Sequence, residues 1–107
     1  MTGFDEREKS YEKKFERDQE LAFKAKARRN KLVGHWAAQQ MGLTGEVAEA
    51  YAMEIVTGEL QHRGDAALVE KLARDLAANG VALDADRVSA ELTRFATEAR
   101  KQLGIAS

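Results

Sequence analysis

The chain has 107 residues, neither cysteine nor proline, and a formal net charge of −1. This length suits a single domain. The lack of cysteine excludes a disulfide framework, and the two histidines, His35 and His62, cannot form a metal centre alone. The first residues are too charged for a signal peptide, and no apolar run approaches the ~20 residues of a membrane span. We therefore expect a cytoplasmic protein without cofactor, metal or direct membrane insertion.

The charges are unevenly distributed along the chain. Residues 1–19 hold six acids and five bases, residues 20–45 hold one acid and five bases, and residues 46–107 hold eleven acids and seven bases. The middle of the sequence is therefore basic and the last section is acidic. A partner could recognise either region, although the net charge of the whole chain is close to zero.

The first predicted helix runs from a start in the teens to Met41 and is stopped by Gly42, although the N-terminal sequence remains compatible with helix almost to Phe4. Residues 1–19 carry only three large apolar groups, Phe4, Tyr11 and Phe15, among eleven charges. Three anchors bury too little area to offset ~1–2 kcal/mol of backbone ordering per residue. We expect an N-terminal arm that is mobile in the free protein, or else packs on the body through these aromatics. Whether residues 1–18 are then helical is left open.

A second helix is predicted at about 46–61, capped by Thr44 and weakened by Gly58. The third begins at Asp65 as its N-cap and runs to about Asn79, where Gly80 suits a left-handed ending. The fourth is capped by Asp84. One apolar face is expected on each helix. From the first helix to the fourth, these faces consist of Leu32, Val33, Trp36 and Ala37; Ala48, Tyr51, Ala52, Ile55 and Val56; Leu68, Val69, Leu72, Ala73 and Leu76; and Val88, Leu92, Phe95, Ala99 and Leu103.

Short connections between four such helices predict an all-α four-helix bundle, here with a mobile N-terminal arm. We place the arm at residues 1–18 and the bundle domain at residues 19–107. No nucleophile with a base, metal-ligand set or glycine-rich phosphate loop is present, so we expect no catalytic activity. His35, beside Trp36, is interpreted as a packed or half-exposed structural histidine.

The basic run of the first helix admits three interpretations. Its members are Lys24, Lys26, Arg28, Arg29 and Lys31. They can form a solvated face packed against an acidic bundle, contact a protein or phosphate group, or bind nucleic acid. Nucleic acid is disfavoured by the sequence pI of about 6.1 and by the lack of an aromatic stacking platform.

Several stretches resemble the zeta subunit family, the small ATPase inhibitor proteins of alphaproteobacterial F-type ATP synthases. The stretches are FDERE at 4–8, EKKF at 12–15, FKAKARRNKLVG at 23–34, WAA at 36–38, GLTG at 42–45 and AEAYA at 48–52. The resemblance covers essentially the whole chain and is densest over residues 4–58. His35 and the pair Gln39–Gln40 depart from the family pattern, and both lie in the expected bundle.

The resemblance implies a four-helix bundle whose arm enters an interface between alpha and beta subunits and blocks ATP hydrolysis. Carried over by position, the partner contacts are Phe4, Arg7, Tyr11, Lys14 and Phe15. The implied partner is the ATP synthase catalytic sector. The resemblance also implies that this protein is a monomer when free and that it binds peripherally at the inner face of the membrane through the enzyme. The alternative is a helical sensor of a small ligand or nucleotide that uses the basic face of the first helix.

Overall fold

The computed structural model describes the backbone of residues 2–58 and 64–105, and the side chains of these residues from Glu12 onward. It contains four helices, α1 at Thr2–Gln40, α2 at Gly45–Thr57, α3 at Asp65–Ala78 and α4 at Ala85–Gln102. No strand occurs within these ranges. The predicted all-α four-helix bundle is confirmed, with α1 as the central element because it contacts each of the other three helices.

The core lies between the C-terminal half of α1 and the faces that the other helices turn toward it. The apolar stripe of α3 is buried as predicted, at Leu68, Val69, Leu72 and Leu76. It meets Val33 and Ala37 of α1, Ile55 of α2, and Val88 and Leu92 of α4. Trp36 is only half-buried and lies at the edge of this core, where its ring centroid is 6.4 Å from that of Phe95.

Helices α1 and α2 approach closely at a glycine that the apolar pattern did not single out. Gly34 is buried, and a Cβ atom built on it would lie 2.9 Å from the Cα of Ala52 and 3.3 Å from the Cβ of Ile55. Any side chain would push the backbones apart. Glycine thus permits the tight packing of α2 on α1, although it lowers the helix propensity of α1.

Some helix ends follow the sequence signals and others do not; α1, for example, begins at Thr2 rather than in the teens. At Asp84 the predicted cap is confirmed, since its carboxylate accepts a hydrogen bond of 2.8 Å from the Arg87 amide. Thr44 occupies the predicted cap position of α2, but its side chain makes no cap hydrogen bond. The prediction that Asp65 caps α3 is wrong by one residue. Gly64 is the cap, with φ 90°, and Asp65 is the first helical residue.

The predicted left-handed ending of α3 is confirmed at Gly80, where φ is 81°. The Val81 amide donates to the Leu76 carbonyl at 2.9 Å, and the Gly80 amide donates to Ala77 at 3.0 Å. These are the two bonds of a Schellman ending. Helix α2, in contrast, ends at Thr57 rather than at about residue 61. The rest of that predicted segment, with His62, lies outside the described residues.

Candidate partner-binding surface and basic cleft

Helix α1 extends far beyond the bundle at its N-terminal end. The molecule measures 66 × 26 × 24 Å, and a helix of 39 residues alone is about 58 Å long at 1.5 Å per residue. All side chains from Glu12 to Glu20 are exposed. No hydrogen bond or ion pair joins this stretch to another helix within the described residues. The segment has the exposure that a mobile arm requires.

Two of the five predicted partner contacts have described side chains, and both are available to a partner. Phe15 is 59% exposed, and Lys14 is exposed beside it. The interpretation that the arm packs onto the bundle as extra core is therefore wrong for Phe15. The side chains of Phe4, Arg7 and Tyr11 lie outside the described residues, so their contacts stay predictions.

The basic run does not form one continuous face, because its members serve different neighbours. Lys24 pairs with Glu20 at 3.2 Å within α1, and Arg28 donates a hydrogen bond of 3.2 Å to Gln102 of α4. Lys31 is exposed, and Lys26 is half-buried against α4. The run therefore combines structural contacts with two lysines that face solvent or a cleft.

Arg29 has a largely structural role that the sequence did not reveal. Its guanidinium makes two hydrogen bonds of 2.9 and 3.0 Å to the Asp65 carboxylate, and its Nε donates to Asn30 Oδ1 at 3.0 Å. This bidentate pair, called here the Arg29–Asp65 fork, fixes the start of α3 on α1. The hydrogen bond from Arg29 holds the pKa of Asp65 below its usual value, although partial burial opposes this.

A cleft of about 410 Å³ lies between α1, the start of α3 and the C-terminal half of α4. Three of its lining residues are cationic, Lys26, Arg29 and Arg100, and Thr93 and Thr97 add hydroxyl groups. Asp65 supplies a negative charge, but Arg29 already neutralises it. Cations and hydroxyl donors around a concave surface suit an anionic group such as a phosphate.

A second polar cluster joins α2 to α3 and is structural. The Tyr51 hydroxyl donates a hydrogen bond of 2.8 Å to Asp75, and Lys71 lies 3.0 Å from Asp75 and 3.2 Å from Glu54. Burial, followed by the hydrogen bond to Asp75, raises the pKa of Tyr51. Partial burial alone would lower the pKa of Lys71, but its bonds to Asp75 and Glu54 outweigh this and raise it. Both groups keep their protons and tie the two helices together.

His35 is half-exposed, as interpreted, and its Nε2 lies 3.4 Å from Glu49 of α2. Across the described part of the chain, no three histidine or carboxylate groups are arranged to hold a metal ion. No described helix is long and apolar enough to cross a membrane.

Three residues lie in settings that the sequence did not predict. Asn30 and Glu91 are buried polar residues, 2% and 8% exposed. Asn30 follows the i, i+4, i+7 spacing of the core face, so helical position would have found it. Glu91 is held by Arg87 and Arg94 from its own helix. Phe23 is the opposite case, because it is a large aromatic residue and yet it is 66% exposed.

Comparison with known proteins identifies the family. The family model described as ATPase inhibitor subunit zeta matches residues 1–102, which is nearly the entire chain and includes both the arm and the bundle. No curated protein matches the sequence. The chain belongs to the ATPase inhibitor subunit zeta family.

Proposed function

We propose that this member of the ATPase inhibitor subunit zeta family inhibits ATP hydrolysis by inserting its arm, residues 1–18, at an alpha/beta catalytic interface of F-type ATP synthase. The role is regulatory rather than catalytic. In this proposal the protein is a monomer when free, and it binds at the inner, cytoplasmic face of the membrane through the enzyme.

The observation that carries the proposal is the projecting first helix with an exposed aromatic side chain. Phe15 lies on a stretch where every side chain is exposed, and from Glu12 onward the first buried residue of α1 is Asn30. A single projecting helix is narrower than the 26 × 24 Å cross-section of the molecule, so it suits a groove that the bundle is too wide to enter. The amphipathic helix in a groove is a common mode of recognition, and rigid aromatic side chains are good anchors in it.

The bundle supplies the second requirement, which is a rigid support for the arm. Helix α1 continues without a break from the arm into the core, where it ends at Gln40. The Arg29–Asp65 fork and the Gly34–Ala52 contact fix its C-terminal half against α3 and α2. A force on the inserted arm is therefore transmitted to the whole bundle, which remains outside the interface.

The test is ATP hydrolysis by the matching catalytic sector, titrated with the parent protein and with the triple variant Phe4→Ala, Tyr11→Ala, Phe15→Ala. We expect the triple variant to lose inhibition, because buried anchors carry most of the energy of such interfaces. A matched control is Val47→Ala with Met53→Ala, which removes two exposed apolar side chains from α2 instead. The control should inhibit like the parent. Equal inhibition by triple variant and parent would contradict the proposed role of the arm.

Charge variants separate anchoring from electrostatic steering. We expect Glu8→Gln, Lys13→Gln and Arg7→Gln, each alone, to weaken inhibition only modestly, since rim charges chiefly change association rates and salt dependence. The same titration at two salt concentrations is the measurement. Loss of inhibition in these variants but not in the aromatic triple variant would indicate electrostatic docking, which should then fade as salt rises.

A second candidate function is the binding of a phosphate-bearing ligand, such as a nucleotide, in the basic cleft. It is favoured by the grouping of Lys26 and Arg100 with two threonine hydroxyls, since Arg29 is already paired with Asp65. Calorimetric titration of the free protein with ATP, ADP and inorganic phosphate tests it. The double variant Lys26→Gln, Arg100→Gln should lose the binding, while Lys31→Gln should keep it. Absence of binding by the parent would remove this candidate without affecting the role of the arm.

A further inference from the structure

Phe23 is the most exposed large apolar side chain among the described residues, at 66%. It precedes Asn30 by seven residues and Gly34 by eleven, so the three lie on one face of α1. Asn30 and Gly34 are buried there, and Gly34 lies directly against Ala52 and Ile55 of α2. The face that the bundle buries therefore continues to Phe23, whose side chain is largely exposed.

Within the described residues, α2 ends short of Phe23. The short connection between Gln40 and Gly45 makes α1 and α2 antiparallel, so α2 runs back along α1 toward Phe23. It ends at Thr57, two residues after Ile55, which is at the level of Gly34. Phe23 lies about 16 Å further along the axis of α1, at 1.5 Å per residue. The structure thus holds a core-facing aromatic residue beyond the end of the helix that would have covered it.

Phe15 belongs to the same uncovered side of α1. It precedes the buried Val33 by 18 residues, which is five full turns, so both point in one direction. Phe15 and Phe23 are therefore two exposed rings that flank the line of the core face, about 12 Å apart along the helix. The sequence between residues 12 and 24 has four acids and four bases. Because its net charge is zero, attraction by overall charge gives no preference for an acidic or a basic partner.

The pair of rings is too small to hold two copies of this chain together. An aromatic side chain buries 150–250 Å², so two of them supply ~300–500 Å² per partner. A specific and stable interface buries about 800 Å² per partner. Two rings of this kind instead suit anchors within a larger interface, in which each ring fills a pocket of the partner.

We propose that Phe23 is a further anchor for the ATPase, so that the surface in contact with the enzyme continues past residue 18 to the point where the bundle begins. This inference rests on the proposed inhibition of ATP synthase. The occupant of the uncovered face is the catalytic sector of that enzyme, because exposed Phe23 lies only eight residues beyond exposed Phe15 and so continues the proposed contact surface of the arm. The enzyme then contacts both the inserted arm and the base of the arm, and Phe23 lies in an apolar pocket at the entrance.

The experiment compares Phe23→Ala and Phe23→Leu with the control Val47→Ala, which removes a side chain of similar exposure from α2, 60% against 66%. Circular dichroism and thermal melting should show all three folded like the parent. In titrations of ATP hydrolysis, Phe23→Ala should raise the half-inhibitory concentration at least tenfold. Phe23→Leu should recover most of the affinity, and Val47→Ala should leave it unchanged.

The outcomes distinguish this inference from the proposed function. If the parent inhibits and Phe23→Ala inhibits equally well, the role of Phe23 is wrong and the function stands. If the parent neither binds nor inhibits the enzyme, both fail together. Sedimentation of the free protein adds one further outcome. A dimer that dissociates in Phe23→Ala would mean that a second copy covers this face, which also overturns the inference.

Discussion

The two halves of α1 differ in burial although they belong to one unbroken helix. Residues 12–24 expose every side chain except Leu21, while residues 25–40 include five buried positions, at Asn30, Val33, Gly34, Ala37 and Ala38. Both halves carry apolar residues at helical spacing. What separates them is whether another helix lies alongside, because the buried residues in the described part of α1 all belong to the second half, where the other helices pack. Burial is thus a property of the assembly, and the first half retains an uncovered face that a partner can use.

The largest expected effect is in the covered half of the molecule, at its core. Leu72 is fully buried between the helices. We expect Leu72→Ala to reduce the free energy of unfolding by about 2–5 kcal/mol, through lost burial and the cavity left behind. Chemical denaturation measures it, with Phe15→Ala as the exposed counterpart, which should stay within about 0.5 kcal/mol of the parent. Similar losses in both variants would mean that the arm belongs to the cooperative unit.

The close approach of α1 and α2 provides the next effect. Gly34→Ala places a Cβ atom 2.9 Å from the Ala52 backbone. Overpacking costs about 1–3 kcal/mol, partly offset by about 1 kcal/mol of helix propensity gained on replacing glycine. We expect Gly34→Ala to lower the free energy of unfolding by up to about 2 kcal/mol, measured by thermal unfolding, and Gly34→Val to lower it further. A valine variant as stable as the alanine variant would show that the helices have room to separate.

A smaller effect is expected at the Arg29–Asp65 fork, since the side chain of Asp65 is 54% exposed. Surface ion pairs contribute ~0–1 kcal/mol, so Asp65→Asn should lower the free energy of unfolding by no more than about 1 kcal/mol. The pKa of Asp65 is lowered in the folded state, from a reference value of 3.8. Its contribution is therefore complete above that value and is lost as the pH falls through the lower, folded pKa.

The pH dependence of this pair gives the sharper test. Unfolding free energies of the parent and of Asp65→Asn, measured between pH 7 and pH 2, should differ at neutral pH. The two should converge in the acid range below the reference pKa, where the pair is lost in the parent as well. A constant difference down to the lowest pH would mean that the aspartate acts through its shape or its hydrogen bonds rather than its charge.

The smallest effect on stability is expected from removing the arm. Deleting residues 2–15 should change the unfolding free energy by no more than about 0.5 kcal/mol, because none of the described side chains in this stretch packs on the bundle. The same deletion should remove inhibition. Backbone NMR relaxation of the intact protein provides the companion measurement. Order parameters below 0.6 over residues 4–15 are expected, and values near 0.85 would indicate a rigid arm.

Much of the fold was predictable because helical signals are local. The apolar faces of α3 and α4, the cap at Asp84 and the ending at Gly80 depend on residues within one or two turns of each other. The errors arose where a distant partner intervenes. Asp65 carries a common cap residue type, yet its carboxylate binds Arg29, which is 36 residues away, and glycine takes the cap position.

The candidate site divides in the same way. Exposure of Phe15 and Lys14 was expected from the low apolar content of the arm. The five cations between Lys24 and Lys31 looked alike in sequence, but the fold gives Arg29 a fork, Arg28 a link to α4, and Lys26 a position in a cleft. A charge pattern alone does not distinguish these roles, because each depends on which residues of α3 and α4 lie opposite.

By itself, the sequence determined the helical class, the approximate helix boundaries, and the resemblance that the family match later confirmed. These depend on hydrophobic period, capping residues and continuous stretches of sequence, all of which are local along the chain. The tertiary structure alone decided that α2 ends before it can cover Phe23, that Gly34 permits the contact with Ala52, and that Arg29 holds Asp65. These features depend on distances between residues far apart in sequence, which are fixed only when the helices pack together.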